Sequence, residues 1–153
     1  GTTFDIYLPR QRDELKKERI SGPLTKIHAG GQETILVVED EPSILRLARR
    51  VLEAHGFTVL AAGSPQDAMV LAADYPGAID LLLTDVIMPE MNGRDLAERV
   101  RALRPQLKLL FMSGHAADVI ASRGLLDPSA SLVEKPFSID ALVAHVRGAL
   151  DEA

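Results

Sequence analysis

From Thr34 onward the chain alternates two kinds of segment: short runs apolar at nearly every position, and longer stretches with apolar residues three and four apart. The short runs are TILVVED (34–40), FTVLAA (57–62), IDLLLTD (79–85), LKLLFMS (107–113) and ASLVEK (130–135). Runs of this length, apolar at consecutive positions, read as strands buried on both faces. Between the first two, Ile44, Leu47, Ala48, Val51 and Leu52 recur at helical spacing, with Pro42 suited to the first turn and His55 and Gly56 stopping the helix. Ser64, Pro65 and Asp67 read as an N-cap and first turn of a helix through about Asp74. The next helix opens at Asn92 or Gly93, turns Leu96, Val100 and Leu103 inward, and must end before Pro105. Residues 115–128 look helical over Ala116–Ala121 and are then broken by Gly124 and Pro128, which predicts a short or irregular helix. Ser138 caps a last helix with an apolar stripe of Ile139, Leu142, Val143, Val146 and Leu150. Five strands alternating with five helices predict an α/β fold around a parallel sheet.

Upstream the pattern changes. Residues 11–33 join a charged stretch, QRDELKKERI, to SGPLTKIHAGGQE, which is linker composition. Before it, GTTFDIYLPR alternates Phe4, Ile6 and Leu8 with polar neighbours and closes on Pro9, the pattern of a half-buried strand. Charge sharpens this division. Of the net −5, residues 1–33 hold six basic and five acidic side chains, and residues 34–153 hold eleven and seventeen. An acidic main body with neither a basic stripe nor interleaved aromatics has no electrostatic footing for nucleic acid. There is no cysteine, hence no disulfide or thiolate metal site. No stretch reaches the roughly 18 apolar residues of a membrane span, and no signal-peptide core is present. These features fit a cytoplasmic segment without direct membrane insertion.

In open parallel sheets, ligands bind outside the carboxyl ends of the strands. Glu39 and Asp40 end the first strand, Asp85 the third, Ser113 the fourth and Lys135 the fifth. Singly, each has an ordinary reading as a turn residue, an N-cap or a solvated strand end. Jointly, four of five strands place a polar group at one sheet edge, which coincidence explains poorly. Clustered carboxylates repel, so a hard divalent cation with oxygen ligands, Mg2+, is the natural compensation. Asp85 is then a candidate nucleophile toward a phosphoryl group, with Lys135 and the Ser113 hydroxyl neutralising and binding its oxygens. His28, His55, His115 and His145 lie in no recognisable phosphodonor context and read as surface or packing residues.

In this order and spacing, ILVVEDE, LLLTDVIMPEMNG, FMSGH and EKPF resemble the receiver domain of two-component response regulators, over roughly residues 33–152. The resemblance implies a flavodoxin-like, doubly wound five-stranded sheet in the order 2-1-3-4-5. It implies that Asp85 takes phosphate from a phosphohistidine on a histidine kinase dimerisation domain or a histidine phosphotransfer protein. It also implies Mg2+ held by Asp40, Asp85 and the backbone carbonyl of Ile87, with Glu39 helping through water, and Ser113 and Lys135 reading the phosphate. In the family the Lys135–Pro136 peptide is cis, which is expected here too. Two positions depart from the pattern. Glu39 stands where aspartate is more frequent, and Leu132 stands where many members carry a switch tyrosine or phenylalanine. With no ring at 132, the segment from His115 to Pro128 is expected to reorder instead.

The first ten residues resemble the last strand of the ATP-binding domain of sensor histidine kinases, with 11–33 as linker and 34–153 as receiver. That reading makes the chain the C-terminal piece of a hybrid histidine kinase, not itself a kinase. Two rivals are weighed against it. A haloacid dehalogenase-type phosphatase also uses an aspartate nucleophile, Mg2+ and a lysine, but wants a second aspartate where this chain has Ile87. A degenerate receiver serving only as an interaction module would not need the full set of phosphorylation groups found here.

Overall fold

The computed structural model describes residues 33–114 and 131–151. The expected strand of Phe4, Ile6 and Leu8, the linker up to Gln32, and the segment 115–128 lie outside the described residues. Five strands form the sheet: β1 (Thr34–Val38), β2 (Thr58–Ala62), β3 (Leu81–Asp85), β4 (Lys108–Ser113) and β5 (Leu132–Glu134). Their order is β2-β1-β3-β4-β5 and every neighbouring pair is parallel. The described helices are α1 (Pro42–Ala54), α2 (Pro65–Asp74), α3 (Gly93–Leu103) and α4 (Ile139–Asp151).

The continuous apolar runs are explained by two cores, one on each face. Ile35 and Val37 of β1, Leu81 and Leu83 of β3, and Leu110 and Met112 of β4 face α1 and α4, where they meet Ala48, Val51, Leu52, Leu142 and Val146. The alternate residues Leu36, Val38, Leu82 and Phe111 face α2 and α3, meeting Ala68, Ala72, Leu96, Ala97 and Val100. The central strands β1, β3 and β4 thus spend both of their period-2 faces on burial, with about 1.5–3 kcal/mol of apolar transfer per large side chain, while the edge strands β2 and β5 are only partly buried. The result is the five-stranded flavodoxin-like architecture expected from the sequence.

Local starts and stops follow the side chains. Ser64 caps α2 by accepting from Asp67 N, Asn92 caps α3 by accepting from Asp95 N, and Ser138 Oγ accepts from Ala141 N at the head of α4. Gly56, at φ 90°, supplies the left-handed residue after α1. Three positions expected to face inward do not. Leu47, Leu103 and Ile139 are about half exposed. Ile139 and Leu103 fall in the first turn of α4 and the last turn of α3, the ends of their helices, while Leu47 borders the cleft described below. The periodicity of these helices is sound, but the apolar stripe is longer than the sheet it covers.

Candidate functional site

The carboxyl edge of the sheet carries the polar groups. β1 stops at Val38, leaving Glu39 and Asp40 just past the strand, and β3 ends on Asp85 itself. One carboxylate oxygen from each of Glu39, Asp40 and Asp85 lies within 4.8 Å of the others, with Glu39 buried, Asp85 half-buried and Asp40 exposed. β4 delivers Ser113 to the same edge, and β5 leads into Lys135. The Lys135–Pro136 peptide is cis, as the sequence led us to expect.

Lys135 is the hub. Its Nζ donates to Asp85 Oδ2 at 2.6 Å and also to Glu39 Oε2. Glu39 is held from its other oxygen, since Oε1 accepts from Glu41 N at 3.2 Å. Asp85 is likewise held twice, its Oδ1 accepting from Ile87 N at 3.2 Å. Among the described residues Ser113 is tied only through its main chain, where its carbonyl accepts from Lys135 N at 2.7 Å. Its hydroxyl is buried and has no hydrogen-bond partner among the described residues. An unpaired buried hydroxyl is costly, and such groups concentrate where a ligand supplies the missing bond.

Electrostatics match this geometry. Burial pushes the Glu39 carboxyl above its ordinary value, and the hydrogen bond and charge of Lys135 oppose that shift without cancelling it. Burial alone would lower Lys135, but its hydrogen bonds to Asp85 and Glu39 and their charges outweigh it and hold the ammonium above its ordinary value. The two directions are compatible. Glu39 is nearly fully enclosed, so desolvation dominates there, whereas Lys135 gains from two carboxylates at once.

Over these groups lies an open cleft of about 560 Å³. Its floor is Glu39, Asp40, Asp85 and Lys135, and its walls are apolar, from Ile44 and Leu47 of α1, Ile87, Pro136 and Phe137. The structure therefore brings together Glu39, Asp40, Asp85 and Lys135 directly, places Ile87 on the cleft wall, and leaves the Ser113 hydroxyl buried at the end of β4. His55 and His145 stand apart, each with Nδ1 2.7 Å from a carbonyl one helical turn earlier. Leu132 pairs with Phe111 across β4 and β5 and packs, half-buried, on the α2 and α3 side.

Sequence reasoning missed the apolar rim and two residues behind Asp85. Thr84 and Gly93 pack against the main chain of the aspartate. One signal was available: a glycine at the first helical position after a good N-cap is not needed for capping, so Gly93 had to answer to close packing instead.

The response regulator receiver domain model matches residues 35–147. The sensor kinase CckA of Brucella abortus (strain 2308) is 33% identical over 99% of this chain, which spans 17% of that kinase's length. The response regulator receiver protein CpdR of the same organism is 33% identical over 73% of this chain and 92% of its own. Among solved structures, the receiver domain of the hybrid histidine kinase CckA is 31% identical with a TM-score of 0.64, covering 77% of this chain and 99% of that one. A response regulator receiver domain protein from Clostridium thermocellum superposes with a TM-score of 0.67 at 25% identity, covering 78% and 94%. With five parallel strands in the order 2-1-3-4-5 and an acidic cluster at their carboxyl edge, the chain belongs to the response regulator receiver domain family.

Proposed function

We propose that this chain is a phosphoacceptor, in which Asp85 takes a phosphoryl group from a phosphohistidine of a partner protein. The observation that carries the reading is Lys135 Nζ on Asp85 Oδ2, at the sheet edge where β4 ends on Ser113, whose buried hydroxyl has no partner among the described residues. In the transfer, a carboxylate oxygen of Asp85 bonds to phosphorus as the phosphorus–nitrogen bond breaks and the imidazole departs with the bonding pair. Lys135 already stands against the acceptor and follows the negative charge as it moves onto the phosphoryl oxygens, while the Ser113 hydroxyl donates to one of them. Glu39, Asp40 and Asp85 form an oxygen-donor set that suits Mg2+, with the Ile87 carbonyl as a further ligand by likeness to the family. Bound there, Mg2+ supplies charge neutralisation for the transferring group.

The donor fits the cleft in kind. Its apolar walls, Ile44, Leu47, Ile87 and Phe137, surround a charged floor, a surface suited to a helix that carries a phosphohistidine among apolar neighbours. A histidine kinase dimerisation domain or a histidine phosphotransfer protein is such a partner, and nucleic acid is not. The alignment with the Brucella sensor kinase reaches nearly the whole chain, including residues before the receiver. That supports a parent hybrid kinase, with residues 1–10 as the end of its ATP-binding domain, 11–33 as linker and the receiver working in the cytoplasm. No helix among the described residues is long and apolar enough to cross a membrane. Mass spectrometry after incubation with acetyl phosphate and Mg2+ tests the reading. Label is expected on Asp85 alone and absent from Asp85→Asn, and label persisting in that variant refutes it.

A further inference from the structure

The residue before the acceptor is a polar one in a place built for an apolar one. Thr84 is fully buried in β3, between leucines and the strand end, where valine would match its shape and need no hydrogen bond. Its hydroxyl donates to the main-chain carbonyl of Asp85 at 3.1 Å. From α3, Gly93 closes on the same oxygen. A Cβ at Gly93 would lie 2.1 Å from the Asp85 carbonyl oxygen, 3.1 Å from its carbon and 3.2 Å from Thr84 Cγ2. The neighbouring peptide is fixed as well, with Gly93 N donating to Val86 O at 2.9 Å and Val86 N donating to Met112 O at 3.0 Å.

We propose that Thr84 and Gly93 are positioning residues that clamp the main-chain carbonyl of Asp85 and so aim its carboxylate into the cleft. The proposal rests on the reading of Asp85 as the phosphoacceptor. The carbonyl and the side chain of Asp85 leave the same Cα, so a rotated peptide swings the carboxylate relative to Lys135 on β5 and to the acids after β1. Neither of those elements moves with it. Thr84 acts on the oxygen by a directional bond, and Gly93 leaves it room while barring any wider residue. A side chain at 93 forces the carbonyl or the head of α3 to shift by about 1 Å, a displacement that can cost a reaction about 10²-fold.

The test compares the full chain with Thr84→Val, which keeps shape and loses the hydroxyl, Thr84→Ser, which keeps the hydroxyl, and Gly93→Ala. Initial rates of Asp85 labelling are measured across acetyl phosphate concentrations at saturating Mg2+; a phosphorus–oxygen bond forms at Asp85 as acetate leaves. Thermal midpoints are recorded for each variant. Thr84→Val is expected to lower the maximal rate about tenfold with the half-saturating donor concentration unchanged, and Thr84→Ser to restore it within about twofold. Gly93→Ala is expected to be slower still; should it fail to fold, the threonine pair carries the test. Val100→Ala, a core change in α3, should lower the midpoint without slowing labelling. A labelled wild type matched by Thr84→Val overturns the clamp alone, as does a rate that merely tracks the midpoint across all variants, Val100→Ala included. A wild type that takes no label at Asp85 overturns the acceptor reading and the clamp with it.

Discussion

Ser113→Ala should make the protein more stable and less able to hold phosphate. Ser113 is 1% exposed and its hydroxyl has no hydrogen-bond partner among the described residues, while its main-chain carbonyl is already satisfied by Lys135 N. Burying a hydroxyl without a compensating bond costs about 1–3 kcal/mol on the scale of protein mutations. Alanine removes that cost and gives back a little packing, so a net gain of about 1 kcal/mol is expected. Urea unfolding reads it directly: at a slope of about 2 kcal/mol per M the midpoint should rise by about 0.5 M. Function should move the other way. A hydrogen bond to a charged phosphoryl oxygen contributes about 1.5–3 kcal/mol, so its loss should slow Asp85 labelling by about ten- to a hundredfold. A variant less stable than the wild type would mean that the hydroxyl is bonded in the resting fold. A variant labelled at the wild-type rate would remove Ser113 from the phosphoryl site.

Two further outcomes follow from the ion pairs. Lys135→Met leaves two carboxylates facing each other and should cost about 3 kcal/mol near neutral pH in urea unfolding. Lys135 is raised above 10.5 because Asp85 and Glu39 outweigh burial, so its contribution is complete below pH 10.5 and fades above it. The deficit of Lys135→Met should shrink in that alkaline range, and a deficit constant with pH contradicts the assignment. Glu39 is raised above 4.5 because burial outweighs Lys135, so the stability it contributes is complete below pH 4.5 and lost as pH rises through its folded value. Glu39→Gln should therefore gain on the wild type as pH rises from about 4 to 7 in thermal unfolding, and a wild type that gains instead refutes this.

What could be read from the chain, and what could not, divides along physical lines. The strands were legible because runs with few polar interruptions suit burial on both faces of a parallel sheet, which β1, β3 and β4 show most fully and the edge strands β2 and β5 only in part. The helix starts were legible because Ser64, Asn92 and Ser138 place a short oxygen where orphan N–H groups need one. The placement of Asp85, Lys135 and the acids was legible because strand ends of a parallel sheet share an edge. Exposure at Leu47, Leu103 and Ile139 was not, because helical period reports a face and says nothing of where the sheet beneath it ends. Thr84 was not legible either. A threonine in an apolar strand is ordinary β-sheet composition, and its bond to the Asp85 carbonyl is set by a rotamer that sequence does not display.

The two ends of the sheet are built on opposite terms. At the amino edge the polar groups are closed. Asp80 Oδ2 accepts from Thr34 N at 2.7 Å, Arg104 donates to the carbonyls of Ala72, Tyr75 and Gly77, and Arg147 pairs with Glu33 while lying 4.2 Å above the Phe57 ring. Each of these fixes a loop or the approach to β1 against a helix, and each donor has a partner. At the carboxyl edge, Ser113 has a buried hydroxyl without one among the described residues, Glu39 is a carboxylate kept from water, and Asp40 stands exposed beside two other acids. A fold optimised only for stability would not leave these three features within one edge. Their cost is tolerable because the amino edge and the two apolar cores hold β1, β3 and β4 in register, so these groups cannot escape it by moving their strands. On the proposed reading the same rigidity makes the edge useful: Lys135 holds Glu39 and Asp85 in place, and a phosphoryl group and a cation would supply the Ser113 hydroxyl and the three acids with the partners that the fold does not.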